Sequence, residues 1–337
     1  MLLLETGKFI LALLLLLGGI KAVGKSLHQL AGGKFHALLK KSVSTSGRGF
    51  CVGLAATIFL QSSSLVTVMV VGFINGGFMN LTQGLGVIIG ANVGTTVTSQ
   101  IFSIETEFLI IPFLLTGFVL YLFEIIFHRP LGGKVLLSIA AVLTGIQLLI
   151  ITLEPFADTA VFRRLFHFSR GTPLRGIIAG ITAAAIIQSS SVTIGMVILL
   201  AGEGYFTLPE ALAMVVGADL GTCLTALIAS IGTIPPAKRV AWGHLFFNLV
   251  SIIFVLLFWD SFLFITEMTS KDIARQVANS HTLYNLLGAA LFLPLVDNYA
   301  IILQNIGAKD KLNKKEKGSY LKKRKFKYLM EKLKELL

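Results

Sequence analysis

Long apolar stretches separated by short polar breaks make up most of the chain. Four of them, 108–127, 133–153, 240–259 and 281–305, are long enough for a helix to cross a bilayer, which takes about 20 residues. The composition agrees with this pattern, since 55% of the 337 residues are hydrophobic and 14% are charged, whereas a soluble domain has about 25% charged residues. The pattern predicts an all-α polytopic membrane protein.

One polar cluster interrupts an apolar run at a point where a helix would otherwise continue. Residues 61–64 have the sequence QSSS. The uncharged segment before them, 49–60, would form only about 18 Å of helix, whereas the hydrocarbon core of a bilayer is about 30 Å thick. The segment after the cluster is also short and ends at Asn75. We interpret this region as a re-entrant helical hairpin with QSSS at its tip; the alternative is one spanning helix over 50–74 with a polar patch.

The chain contains this arrangement twice. Placing residue 48 on residue 175 aligns 57 positions without a gap, and 21 of them are identical, including a second QSSS at 188–191. A related match, at an offset of 126, places 7–20 on 133–146. Agreement over so long a stretch indicates an internal duplication, which is the common plan of secondary transporters with a site near the bilayer midplane.

The segment that follows each QSSS is predicted to be a broken transmembrane helix. Residues 81–103 contain GANVGTT and 208–230 contain GADLGTC, and glycines beside Asn or Asp suit backbone that unwinds where it lines a cavity. Three crossings then separate the two hairpins, and an odd number predicts inverted repeats. We assign 1–130 to the first repeat, 131–307 to the second repeat with a final additional helix, and 308–337 to a basic tail.

The tail carries most of the net charge of +12, because it holds 12 Lys/Arg and 4 Asp/Glu. Its apolar residues, among them Leu321, Phe326 and Leu329, recur at roughly helical spacing beside many lysines. This favours an amphipathic helix on anionic lipid, with a merely solvated tail as the alternative. Because cytoplasmic segments are enriched in Lys and Arg, we expect a multi-pass protein of the cell (inner) membrane with a cytoplasmic tail and an external N-terminus.

Both QSSS clusters offer the chemistry of a small polar site. The amide and hydroxyl groups donate and accept hydrogen bonds, and a helix turn at the tip would present free backbone N–H groups to an anion. The same oxygens, with carbonyls freed at a broken helix, suit Na⁺. Polar contact between helices is the alternative for the clusters, and helix capping for the neighbouring Asn and Thr residues. The candidate substrate-binding residues are Gln61, Ser62, Ser63, Ser64, Gln188, Ser189, Ser190 and Ser191. The candidate cation-binding residues are Asn92, Thr95, Thr96, Thr193, Asp219 and Thr222.

Basic residues are missing from the segments around both clusters. No Lys or Arg lies between residues 49 and 128 or between residues 176 and 237, and Asp219 adds a negative charge. Desolvating a doubly charged anion on neutral donors alone is prohibitive, and the walls of anion pores usually carry Arg or Lys. We therefore expect anion binding that depends on accompanying cations.

The doubled QSSS with a following GAN-x-GTT resembles the type II sodium–phosphate cotransporter family, over nearly the whole hydrophobic chain, 1–305. The resemblance implies Na⁺-driven uptake of inorganic phosphate by alternating access, with both QSSS clusters around the substrate and no enzymatic activity. The second half departs from the motif, since Asp219 stands where the first half has Asn92 and Cys223 stands where it has Thr96. An added carboxylate would change the charge moved per phosphate.

The expected partners are inorganic phosphate, Na⁺ and membrane lipid, with a homodimer as an option for the assembly. Nucleic acid is not an expected partner, and no cofactor is expected apart from Na⁺ as the coupling ion.

Other functions compete with this interpretation. The chain could couple Na⁺ or H⁺ to another small anion, or exchange cations through Asp219. An intramembrane hydrolase would need a QSSS serine with His244 or His281, but the chain has no G-x-S-x-G motif and no acidic residue near either histidine in sequence. Each histidine is followed one helical turn later by an Asn, at 248 and 285. That spacing favours interhelical hydrogen bonding over contact with substrate.

Overall fold

The computed structural model describes residues 2–31, 43–104, 107–157 and 168–306, and all the regular secondary structure in these ranges is helical. The all-helical class predicted from the sequence is therefore confirmed. The predicted amphipathic helix in 308–337 lies outside the described residues. The described helices are α1 (Leu2–Ala31), α2 (Ser46–Leu60), α3 (Ser63–Asn75), α4 (Leu81–Phe102), α5 (Glu107–Phe127), α6 (Gly133–Ala157), α7 (Pro173–Ile187), α8 (Ser190–Gly202), α9 (Leu208–Ala229), α10 (Pro235–Leu257), α11 (Trp259–Glu267), α12 (Ile273–Phe292) and α13 (Val296–Ile306).

Three consecutive helices recur in the second half of the chain. Helices α7, α8 and α9 begin and end 127 residues after α2, α3 and α4, at both ends of every helix. This is the offset that aligned the two QSSS clusters in the sequence. The two three-helix units are therefore structural repeats of each other.

Among the described residues, five single helical segments are long and apolar enough to span a membrane. They comprise Gly7–Ser26 in α1, the helices α4, α9 and α10, and Phe108–Phe127 in α5. The apolar segment predicted at 281–305 is not one straight helix, because it contains the second half of α12 and most of α13, which meet at an angle of 76°; the two helices are apolar and long enough to span only when taken together. Pro294 lies in the break, where it cannot donate a backbone hydrogen bond or continue the helix.

The first QSSS lies at a reversal of the chain. Helix α2 runs parallel to α4, because Phe50 packs beside Gly90 and Leu54 packs beside Gly94. Helix α3 runs back along α4, so that Ile74 near its end approaches Gly84 near the start of α4. A groove between the two arms is lined by apolar side chains of both, and its floor includes Val87 of α4. Helices α2 and α3 therefore form the helical hairpin that the sequence favoured over a single spanning helix.

The second QSSS lies at the equivalent reversal. Helix α7 runs parallel to α9, with Ile177 beside Gly217 and Ile181 beside Gly221. Helix α8 ends at Gly202, only six residues before α9 begins, while its first residue, Ser190, approaches the middle of α9. Helix α8 therefore runs antiparallel to α9 and to α7.

The predicted breaks at GANVGTT and GADLGTC are absent from the described helices, because α4 and α9 continue through both motifs without interruption. The glycines serve a different purpose. A Cβ atom at Gly94 would lie 2.7 Å from the carbonyl oxygen of Leu54, and one at Gly90 would overlap the carbonyl oxygen of Phe50. Glycine at every fourth position lets the backbones of α2 and α4 touch, as small residues do in membrane helix pairs.

Candidate functional site

A glutamine in the left-handed backbone region ends the first arm of each hairpin. Gln61 has φ 52° and Gln188 has φ 56°. They are two of only three non-glycine residues with positive φ in the described part of the chain. For a residue with a side chain this conformation is uncommon and costs energy, and such strain concentrates at functional sites. The sequence predicted the position of the reversal, but gave no sign of this backbone conformation.

A serine caps the second arm of each hairpin. The Ser62 hydroxyl accepts a hydrogen bond from the backbone N–H of Leu65 at 3.2 Å, and the Ser189 hydroxyl accepts one from Val192 at 3.3 Å. The helices α3 and α8 thus begin at the tips, with the positive ends of their dipoles there. These helix N-termini are suited to an anion.

The two tips differ in what holds them. The amide oxygen of Gln61 accepts a hydrogen bond from the Thr98 hydroxyl of α4 at 2.7 Å, and its Nε2 donates to the Ile58 carbonyl at 2.6 Å. At the second tip Gln188 is exposed, and Thr225, the repeat equivalent of Thr98, donates to the Thr222 carbonyl of its own helix. Gln61 of the first tip is therefore bonded to α4, whereas Thr225 of α9 makes its recorded hydrogen bond within its own helix and not to Gln188.

Of the remaining tip residues, Ser62, Ser64 and Ser189 are half-buried. Ser63, Ser190 and Ser191 are buried. All eight predicted substrate-binding residues therefore lie at the two reversals, and the two clusters expose different members.

The side chain of Asp219 is buried in α9 at the centre of a polar cluster. Its Oδ2 atom accepts a hydrogen bond from His281 Nε2 at 3.1 Å and one from Asn285 Nδ2 at 3.0 Å, both from α12. The Ser190 hydroxyl of the second tip also interacts with the carboxylate. On the other side of the imidazole, Ser99 Oγ of α4 lies 2.7 Å from His281 Nδ1. We refer to these five residues as the Asp219 cluster.

The repeat-equivalent residue Asn92 is held in a similar way. Its Oδ1 accepts a hydrogen bond from His244 Nε2 at 3.2 Å, and its Nδ2 donates to Asn248 Oδ1 at 3.1 Å. Asn248 in turn donates to Cys223 Sγ at 3.2 Å. Each of the two His-x-x-x-Asn motifs thus binds one of the two equivalent positions, which is the interhelical role that the sequence favoured.

The other predicted cation-binding residues are buried threonines. Thr95 and Thr96 donate to carbonyls of α4, Thr222 donates to the Asp219 carbonyl at 3.0 Å, and Thr193 donates to the Ser189 carbonyl at the second tip. Each hydroxyl oxygen can still accept a hydrogen bond or bind a cation. The structure brings Thr222 and Thr193 closest to the Asp219 cluster and the second tip.

Sequence reasoning missed two residues of α4 that contact the candidate site. Thr98 contacts the first tip, and its neighbour Ser99 contacts His281, which contacts Asp219. The identity of Thr98 with Thr225 in the aligned repeats was a signal for the first. Ser99 had no such signal, because Ala226 occupies the equivalent position.

Neither histidine has an acidic residue near it in the sequence, but in the structure Asp219 contacts His281. Ser99, His281 and Asp219 even form a line of three groups that resembles a hydrolytic triad. However, Ser99 is 1% exposed and His281 is 0% exposed, so no substrate can reach this serine in the structure. The line therefore gives no support to a hydrolase.

Both halves of the chain match one family model. The family model described as Na⁺/Pi-cotransporter matches residues 15–151 and again 152–291. The chain is 28% identical over 296 residues to the Uncharacterized protein YqeW of Bacillus subtilis, covering 86% of this chain and 94% of that protein. No solved structure matches.

Two further relatives have names that specify a substrate. The chain is 27% identical over 295 residues to the Putative inorganic phosphate export protein YjbB of Escherichia coli, covering 88% of this chain but 54% of that protein. A segment of 79 residues is 37% identical to the Sodium-dependent phosphate transport protein 2A of Ovis aries, covering 23% of this chain and 12% of that protein. The chain therefore spans about half the length of YjbB.

Proposed function

The chain belongs to the Na⁺/Pi-cotransporter family, and from that premise we propose that it carries inorganic phosphate across the cell membrane together with Na⁺, by alternating access. The observation that carries this proposal is the pair of equivalent hairpin tips, each with a strained glutamine and a serine-capped helix N-terminus. Helix N-termini with free N–H groups bind phosphate in many proteins. In this proposal the two tips, one from each repeat, form one binding site, and either half of the protein can close access to it.

The phosphate ligands in this proposal are the eight QSSS residues. They are neutral, and the adjoining segments 49–128 and 176–237 contain no Lys or Arg. Desolvation of a doubly charged anion therefore needs a compensating charge from outside the protein. Na⁺ supplies it, and oxygen groups near the tips supply its ligands. The candidates are Asn92, Thr95, Thr96, Thr193, Asp219 and Thr222.

The direction that we propose is uptake, because an inward Na⁺ gradient drives a symported anion into the cell. The two repeats lie in opposite orientations in this proposal, with the basic tail in the cytoplasm. Inverted repeats around a central site are a common basis for alternating access in secondary transporters. The difference between a fastened first tip and an exposed Gln188 supports such asymmetry between the halves.

A second candidate function is phosphate export, which is favoured by the similarity to YjbB. Export against the Na⁺ gradient would require that phosphate moves without Na⁺ or in exchange for it. The two candidates therefore differ in how phosphate responds to the Na⁺ gradient. In the uptake mechanism phosphate moves in the same direction as Na⁺, and in the export mechanism it does not.

Both candidates can be separated with purified protein in proteoliposomes. We expect ³²P-phosphate to accumulate inside vesicles when the Na⁺ gradient points inward, and to leave preloaded vesicles when the gradient is reversed. A choline gradient of the same size is the control. Phosphate release that ignores the Na⁺ gradient would favour export, and ²²Na⁺ flux that needs no phosphate would favour a cation antiporter.

A further inference from the structure

One atom of the Asp219 cluster has no role yet in the proposed transport cycle. Asn285 is 1% exposed, and its side-chain oxygen Oδ1 has no hydrogen-bond partner among the described residues. A buried acceptor without a partner costs free energy, about 1–3 kcal/mol in proteins, so such an atom needs an explanation. The equivalent oxygen of Asn248 accepts a hydrogen bond from Asn92.

The orientation of the Asn285 amide is dictated by its neighbours. Its Nδ2 donates to Asp219 Oδ2 at 3.0 Å and to the His281 carbonyl at 3.1 Å. If the amide were reversed, two negatively polarised oxygens would face each other. Without a cation, the amide must therefore point its N–H groups at the carboxylate and leave its oxygen idle.

Among the described residues no Lys or Arg pairs with the Asp219 carboxylate. It accepts hydrogen bonds from the Asn285 amide and from the His281 imidazole, which is charged only when protonated, and it interacts with the Ser190 hydroxyl. An isolated carboxylate inside a membrane protein is costly unless a positive charge accompanies it. An idle oxygen beside such a carboxylate completes the ligand chemistry of a hard cation, which prefers carboxylate, amide and hydroxyl oxygens.

We propose that Asn285 is a ligand of the coupling cation, which binds between the Asn285 oxygen, the Asp219 carboxylate and the Ser190 hydroxyl. The inference rests on the proposed function, to which it adds a ligand, a position and a link to substrate. When the cation enters, the Asn285 amide turns and presents its oxygen in place of its N–H groups. His281 is a positioning residue, which Ser99 orients from the other side of the ring.

The cluster around Asn92 lacks the parts of such a site. Asn92 takes the place of the Asp219 carboxylate, and Ala226, the repeat equivalent of Ser99, has no hydroxyl group. Both oxygen and nitrogen of the Asn248 amide have partners, in Asn92 and Cys223. The charged cation site therefore belongs to the second repeat only.

Ser190 connects this site to phosphate, because it belongs to the second QSSS tip. A cation beside Asp219 cancels the charge that would repel the anion, and it fixes the Ser190 hydroxyl at the same time. Cation binding therefore comes before phosphate binding at this tip.

The test compares two buried asparagines that each lie one turn after a histidine. Asn285→Leu removes both polar groups while it keeps the branching and the number of side-chain heavy atoms, and Asn248→Leu does the same in the neutral cluster. The first measurement is the rise in melting temperature of detergent-solubilised protein with increasing NaCl against choline chloride, without phosphate. We expect Asn285→Leu to raise the Na⁺ concentration at half-maximal effect about tenfold or more, the range seen when support of a metal site is lost. Asn248→Leu should leave that concentration close to wild type.

Asn285→Ser provides a milder variant, because it keeps one oxygen and one O–H donor, and we expect a smaller shift than with leucine. For His281, the variant His281→Gln keeps an N–H donor towards Asp219 and should preserve Na⁺ affinity better than His281→Leu. Equal shifts for Asn285→Leu and Asn248→Leu, or a wild-type protein that Na⁺ does not stabilise, would overturn the assignment. If Na⁺ stabilises the protein through Asn285 but phosphate transport ignores Na⁺, the proposed function fails while the cation site stands.

Discussion

The glycine contact between α2 and α4 makes a quantitative prediction for Gly94→Ala. The new methyl carbon would lie 2.7 Å from the Leu54 carbonyl oxygen and 2.9 Å from Thr57 Cβ, whereas ordinary contact begins at 3.4 Å. The Leu54 oxygen is backbone and cannot turn aside, so the two helices must separate by several tenths of an ångström. Gly94 lies one turn before Thr98, which fastens Gln61. The separation would therefore shift the first tip as well as loosen the helix pair.

The expected cost follows from two opposing effects. Overpacking a tight interior costs about 1–3 kcal/mol, and alanine in place of a helical glycine regains about 0.5–1 kcal/mol. The net destabilisation should be about 1–2 kcal/mol, and a change of 1 kcal/mol lowers the melting temperature by about 2–4 °C in proteins of 150–250 residues. Phosphate transport should fall together with stability, because the tip moves.

Gly72→Ala is the matched control. Gly72 lies inside α3, and a Cβ atom there would meet nothing within 4 Å. This variant should be as stable as wild type or more stable, and it should transport normally. Thermal unfolding in detergent and ³²P-phosphate uptake measure both properties. A Gly94→Ala protein with wild-type melting temperature and uptake would refute the idea that the glycines exist for close helix contact.

Three further predictions concern the tips and the buried carboxylate. Gln61→Ala or Gln188→Ala should abolish phosphate uptake while the protein remains in the membrane, which immunoblotting of membranes would verify; near-normal uptake in both would remove the tips from the site. Asp219→Asn should lower the charge moved per phosphate, and because each charge is worth about 2.3 kcal/mol per 100 mV it should also lower accumulation; an unchanged ratio of current to flux would argue against the carboxylate. Thr98→Ala removes one hydrogen bond to Gln61, worth about 1 kcal/mol or roughly fivefold in the KM for phosphate. Thr225→Ala, whose hydroxyl bonds only its own helix, should stay near wild type, and equal effects of the two would contradict the fastened first tip.

The repeat and the hairpin were predictable because each rests on local signals. An arm of 12 apolar residues before Gln61 is too short to span a bilayer, whatever the rest of the chain does. The gap-free match of the two QSSS regions fixed the offset of 127 residues that the helix boundaries show.

The unbroken course of α4 was not predicted, because glycine has two opposite uses in a membrane. The pair Gly90 and Gly94 beside Asn92 was interpreted as a site of unwinding, but glycines spaced by four residues also form a flat face for another helix. The equally spaced Gly86 was the signal for the second use. Which use applies depends on whether a partner such as α2 lies alongside, and that is a property of the tertiary fold.

The contacts within the polar clusters could not be predicted from the sequence, for a related reason. The spacing of His281 and Asn285 predicted that both lie on one helical face, but not that Asp219 lies opposite, 62 residues earlier in the chain. The bond from Ser99 to His281 joins residues 182 positions apart. Pairings over such distances depend on how the two repeats pack together.

The central claim is that neutral tips bind a multiply charged anion only when cations bind with it. The most direct test is equilibrium binding of ³²P-phosphate to the detergent-solubilised protein in NaCl and in choline chloride of equal ionic strength. We predict saturable binding in sodium that is lost in choline, and we expect Gln188→Ala to remove the binding seen in sodium. Equal binding in the two salts would contradict the claim.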